Sequence, residues 1–153
     1  MNEMTVSQNR IPAMSDEAVD MVYGLEVYTS KMPQIRIDTE HVLHAGVYAR
    51  TITIPAGTLL TGVLIKCATL LIVNGDVCVY IDGQPHHMAG YNVLAASAHR
   101  KQAFVAITDT QLTMIFASDA DNIAAAEEEF TDEPHILMSR VEGAVNTITI
   151  TGE

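Results

Sequence analysis

Between residues 35 and 117 turn residues cut the chain into short β-favouring runs, and that rhythm restricts it to an all-β sandwich or barrel. Val47-Tyr48-Ala49-Arg50-Thr51-Ile52-Thr53-Ile54 ends in alternating Thr and Ile, the period-two pattern of a strand with one wet and one buried face. Pro55-Ala56-Gly57 stops it. Residues 69–73 and 77–81 flank Asn74-Gly75-Asp76, and because Asn-Gly supplies the positive φ angles of a tight turn, the spacing predicts a hairpin between them. Asp82-Gly83 predicts a second turn and residues 91–94 a further strand, while 103–107 is expected to pair with 112–116 across Thr108-Asp109-Thr110.

The flanks read differently. Ser15 is a candidate N-cap followed by acidic Asp16 and Glu17, and Ala18, Met21, Val22 and Leu25 recur at helical spacing, which predicts a short helix over residues 16–23. Gly24, the β-favouring Val27-Tyr28-Thr29 and Pro33 oppose its continuation, so residues 1–34 are expected to be an arm leading to a barrel over 35–117. After the barrel, Ser118 or Asp119 is expected to cap an acidic helix through Phe130. Seven acids and no base between 119 and 133, several at the C-terminal end where the macrodipole opposes them, make that helix marginal alone. Within the remainder, 118–153, the alternating Asn146-Thr147-Ile148-Thr149-Ile150-Thr151 needs a strand edge to pair with.

A chain of 153 residues suits one domain, and 48% apolar residues supply its core. The net charge of −11 repels polyanions, which argues against nucleic acid and anionic membranes as partners. Residues 51–65, the longest stretch without a charged residue or histidine, are broken by Pro55, Gly57 and Gly62, so no spanning segment is expected. Met1-Asn2-Glu3-Met4 lacks the basic start of a secretory leader, and a cytoplasmic location is the expectation. Cys67 and Cys78 read as buried small hydrophobes rather than a disulfide pair.

The succession Ile54-Pro55-Ala56-Gly57, Ile72-Val73-Asn74-Gly75-Asp76 and Gly90-Tyr91-Asn92-Val93-Leu94-Ala95-Ala96-Ser97-Ala98-His99, each followed by a strand, resembles the cupin superfamily over residues 46–117. The resemblance implies a double-stranded β-helix, or jelly-roll barrel. It also implies a metal held by two histidines, a glutamate and a fourth histidine, and that ligand set is largely missing. The glutamate position falls on Ala68, the paired histidines on Thr61 and Val63 or on Gly62 and Leu64, and only His99 matches. One imidazole does not hold a catalytic divalent ion, so no cofactor is expected and His99 reads as a polar-network residue.

The candidate replacement ligands are His41, His44, His86 and His87, and a rearranged site would join His44, His86 or His87 with His99 and Cys67. His41 and His44 share a helix face but not a strand face, and adjacent His86 and His87 point to opposite sides of a strand. Solvated histidines are the simpler account. Ser97 near His99 lacks a Gly-x-Ser-x-Gly elbow, and no Gly-rich phosphate loop occurs. His99-Arg100-Lys101 is the one local concentration of positive charge, either a solvated turn or, with Tyr91, an anion site at the barrel mouth.

The stretch from Thr39-Glu40-His41-Val42-Leu43-His44-Ala45-Gly46 to Thr131-Asp132-Glu133, with the ending Thr147-Ile148-Thr149-Ile150-Thr151-Gly152-Glu153, is similar to small cupin-like proteins of tailed bacteriophages and prophages. That implies a phage-encoded protein in the host cytoplasm or the virion. Three functions follow as expectations. The first is a non-catalytic, homo-oligomeric module, a virion or assembly component with phage structural proteins as partners. The second is a metabolite or nucleotide binder using Tyr91, His99, Arg100 and Lys101. The third is a divergent metal-dependent cupin enzyme.

Overall fold

The structure, a computed structural model, describes residues 3–5 and 9–153. The reading of Met1-Asn2 for a leader lies outside the described residues. In chain order the strands are β1 (Arg10–Ile11), β2 (Thr39–His44), β3 (Val47–Ile54), β4 (Leu59–Thr61), β5 (Thr69–Asn74), β6 (Val77–Ile81), β7 (Gln84–Met88), β8 (Tyr91–Ala96), β9 (Ala103–Ala106), β10 (Thr110–Ala117) and β11 (Asn146–Ile150). Helix α1 (Asp16–Thr29) precedes β2, and α2 (Ile123–Phe130) follows β10. No helix among the described residues is long and apolar enough to cross a membrane.

Two sheets face each other, one in the order β1-β8-β5-β10-β3-β2-β11 and one in the order β4-β9-β6-β7. From β4 to β10 the chain moves repeatedly between them, which makes the fold an all-β jelly roll. The inward residues of both sheets, such as Leu71, Val73 and Leu112 facing Val77, Val79 and Phe104, form the core. Each alternates with outward neighbours, as the β5 pattern of buried Thr69, Leu71 and Val73 against Leu70 and Asn74 shows.

Both strand pairings expected from turn residues are corrected. The strands around Asn74-Gly75 do not form a hairpin: β5 pairs with β8 and β10, whereas β6 pairs with β7 and β9 in the other sheet. Residues 103–106 and 110–117 are divided in the same way. Each turn is a corner between sheets, and the two corners pack together. The Asp76 N–H donates to Thr108 Oγ1 at 3.0 Å and the Ile107 N–H to the Asp76 carbonyl at 2.8 Å. Gly75 is required there, since a Cβ would lie 2.5 Å from Thr110 Oγ1 and 2.9 Å from Thr110 Cα. Tight two-residue hairpins are at Ala45-Gly46, between β2 and β3, and at Asp82-Gly83, between β6 and β7, where φ angles of 54° and 72° and of 50° and 80° match type I′ turns.

Helix α1 starts at the expected cap, with the Ala18 N–H donating to Ser15 Oγ at 3.1 Å, but runs to Thr29 rather than stopping near residue 23. Gly24 is exposed with open space around it, so it weakens the helix without breaking it. Helix α2 is capped by Asn122, whose side chain accepts from the Ala125 N–H at 2.8 Å, not by Ser118 or Asp119. The tail finds its edge within the chain, as β11 lies parallel to β2 with Ile148 opposite His41. The two cysteines are free and partly buried.

A candidate ligand cavity inside the barrel

A cavity of about 700 Å³ lies between the sheets, within the range of small-molecule pockets of roughly 300–1,000 Å³. Its wall is mostly aliphatic, with Ile52, Leu60, Val63, Leu71, Leu112 and Met114 contributing inward side chains. The mouth is bordered by the end of α1, by the linker through Pro33 and Ile35, and by the short 3₁₀ turns Pro134–Ile136 and Met138–Arg140.

Two polar residues on this wall stand out. Arg100 and Gln102 occupy alternate positions before β9 and share the inward side with Phe104 and Ala106, and both line the cavity. Arg100 is 2% exposed. Its guanidinium donates to the Ser97 carbonyl at 2.6 Å, the Cys67 carbonyl at 3.3 Å and Thr69 Oγ1 at 2.7 Å, but no carboxylate lies within ion-pair distance. Among the described residues it is the buried cation without a carboxylate partner, and burial pushes its pKa down to about 10. The Gln102 side-chain amide is buried with its Nε2 unpartnered, at a cost of roughly 1–3 kcal/mol for such a group.

The other expected site residues lie elsewhere. Lys101 takes the outward side and is sealed under α1, its Nζ donating to Glu26 Oε2 at 3.0 Å and the Gly62 carbonyl at 2.8 Å, 4.2 Å from the Tyr23 ring centre. Burial and a hydrogen bond to Glu133 push the Tyr23 hydroxyl up to about 12. His99, at φ 61°, reaches Asp16 at the start of α1 at 2.8 Å. Tyr91 is exposed on the outer face of β8. The basic cluster is therefore not a solvated turn. One member lines the cavity, and the other two fasten the helix to the barrel.

A second polar group closes the end of the cavity. Arg50 on β3 donates to Glu127 Oε2 at 2.8 Å and to Ser139 Oγ at 3.1 Å, while Arg140 Nε donates to Glu127 Oε1 at 2.8 Å and the Ser139 hydroxyl also binds Glu127. Burial alone would raise the Glu127 pKa, but the Ser139, Arg140 and Arg50 hydrogen bonds outweigh it and hold the carboxyl below the ordinary glutamate value. His41 continues the network, its Nε2 donating to Asn146 Oδ1 at 2.7 Å and its Nδ1 accepting the Tyr48 hydroxyl at 2.6 Å, since the carbonyl oxygen fixes the tautomer. This cluster joins β2, β3, α2 and the tail. Sequence reading missed it because its members are scattered from residue 41 to residue 146.

The residues present do not fit the metal centre that the cupin resemblance implies. Thr61, Gly62 and Val63 line the cavity where nitrogen ligands would be needed, and His99 is directed to Asp16. The replacement ligands do not converge either: His44 meets Thr151, His87 meets Asp76, His86 is exposed and His41 is enclosed in its own network. No three His, Cys, Asp or Glu side chains among the described residues are placed to share a metal ion.

No protein-family model and no curated protein matches the chain. Solved structures do. A cupin superfamily protein from Desulfitobacterium hafniense DCB-2 is 16% identical over 58% of this chain and 84% of its own, with a TM-score of 0.45. KdgF from Halomonas sp. is 18% identical over 56% of this chain and 82% of its own, with a TM-score of 0.46. A salicylate 1,2-dioxygenase from Pseudaminobacter salicylatoxidans is 13% identical over 71% of this chain and 36% of its own, with a TM-score of 0.45.

Proposed function

We propose that this protein binds a small carboxylic acid with an apolar body inside its barrel. The observation that carries this reading is the pairing of a buried guanidinium lacking a carboxylate with a buried amide lacking a partner, both on the wall of a mostly aliphatic cavity. An unpaired buried charge and an unsatisfied donor are both costly, and a ligand carboxylate relieves both at once. The aliphatic wall then takes the body of the ligand at roughly 25 cal/mol per Å². A nucleotide suits the site less well, because one free guanidinium does not balance several phosphate charges. The acid on the wall, Glu26, is held by Lys101 Nζ at 3.0 Å and Thr61 Oγ1 at 3.1 Å, and no histidine or cysteine among the described residues lines the wall, which favours binding over conversion.

Calorimetric titration with octanoate, benzoate and octanol tests this. The expected result is stoichiometric binding of at least one acid, no binding of the alcohol, and about tenfold weaker binding by Gln102→Leu, as loss of a charge-assisted hydrogen bond requires. Equal affinity for octanol and octanoate, or an unaffected Gln102→Leu variant, contradicts the proposal. A second reading, an assembly module that could serve as a phage virion or assembly component, draws support from the uncharged outer face of the larger sheet.

A further inference from the structure

Among the described residues no helix packs on the outer face of the seven-stranded sheet. Its outward side chains on β8, β5, β10 and β3 include none that is charged, in a chain of net charge −11. Strand register sets Val42, Ala49, Ile115, Leu70 and Ala95 in one row across five strands. The next row runs through Thr51, Thr113, Ile72 and Val93. Leu70 and Val93 are nearly half exposed. The polar pair in the centre is bonded within the face, one of the Thr51 and Thr113 hydroxyls donating to the other at 2.8 Å. A solvated face of an antiparallel sheet ordinarily alternates to polar and charged residues, so a dry, uncharged one indicates a covered surface.

We propose that a second copy of this chain covers it, face to face, about a two-fold axis running along β10. Charge selects this occupant. Arg10 marks the β1 edge of the face, and Glu40 lies on β2 near the other edge. Because β10 is the middle strand of seven, a two-fold axis along it sets β1 and β8 of one subunit over β11 and β2 of the other, which brings Arg10 toward Glu40 across the interface twice. Two acidic molecules meet here without like charges in contact across β8, β5, β10 and β3. Size agrees: six inter-strand spacings of about 4.8 Å and strands about 20 Å long give roughly 600 Å² per subunit before side-chain relief is counted. A pair therefore passes the roughly 1,000 Å² in total expected of a specific interface.

Light scattering on the full chain at tens of micromolar tests this. The expected mass is twice the 16.6 kDa of the chain. Ile115→Glu, which sets like charges together near the axis, is expected to return the protein to a monomer with unchanged circular dichroism. Arg10→Glu, at an exposed edge where folding is not at stake, is expected to weaken association at least tenfold, and adding Glu40→Arg is expected to restore it. Tyr80→Glu on the smaller sheet should leave the dimer intact. A monomeric wild type, mass that keeps growing beyond two copies, or a swap that restores nothing overturns the proposal.

Discussion

Replacing Glu127 by alanine measures what joins the C-terminal segment to the barrel. The Glu127 side chain is 3% exposed and that of its partner Arg50 is 10% exposed, so the variant leaves a guanidinium enclosed by protein without its counter-ion. Breaking one side of such a pair costs about 3–5 kcal/mol. For a chain of this size each kcal/mol moves the melting temperature by roughly 2–4 °C, so a fall of roughly 10 °C is expected by calorimetry. Urea titration should show the same loss as a lower midpoint at similar slope. Arg50→Met added to Glu127→Ala removes the stranded cation and is expected to recover more than half of the loss. The sign of the pH dependence follows from the depressed Glu127 pKa: the stabilisation is present above the ordinary glutamate value and is lost as pH falls through the lower folded one. A loss below about 1 kcal/mol, or a double variant worse than either single one, refutes the argument.

His41 acts in a higher pH window. Burial lowers its folded pKa below the ordinary 6.5 although the bond to Asn146 opposes this, so its contribution is present above 6.5 and declines as pH falls toward the folded value. Urea titrations at neutral and mildly acid pH should therefore show a smaller acid loss for His41→Gln than for the wild type, and equal losses contradict the assignment. Gly75→Ala is expected to destabilise by roughly 1–3 kcal/mol, because the added Cβ meets Thr110 backbone at the sheet corner. Gly83→Ala, with open space around it and only a positive φ to oppose it, should cost about 1 kcal/mol, and the reverse order in thermal melts would contradict the corner geometry.

The all-β class, the start of α1 and the strand character of the tail were legible in the sequence because each rests on a local pattern, whether period-two alternation or an N-cap. Strand partnership was not. Asn74-Gly75 and Asp82-Gly83 present the same turn chemistry, yet one is a corner between sheets and the other a hairpin, and only the packing of Gly75 against Thr110 separates them. The site was legible in part. Arg100 was singled out as a charge in a cluster, but its burial depends on carbonyls from Cys67 and Ser97 and on Thr69, which nothing in its neighbourhood reveals beforehand. Lys101 reads as a solvated cation until α1, six residues longer than its helical spacing suggests, brings Glu26 over it. Gln102 escaped notice because a lone glutamine carries no motif, and its significance lies in the bond it lacks.

The central claim is that Gln102 and Arg100 await a carboxylate inside the barrel. Heteronuclear NMR of the side-chain amides, followed while octanoate is added, addresses it most directly. The prediction is one glutamine amide, lost in Gln102→Leu, whose proton moves downfield with saturation at one acid per chain, while octanol leaves it unmoved. An amide that stays in place while the acid binds, or that responds equally to the alcohol, would contradict the account.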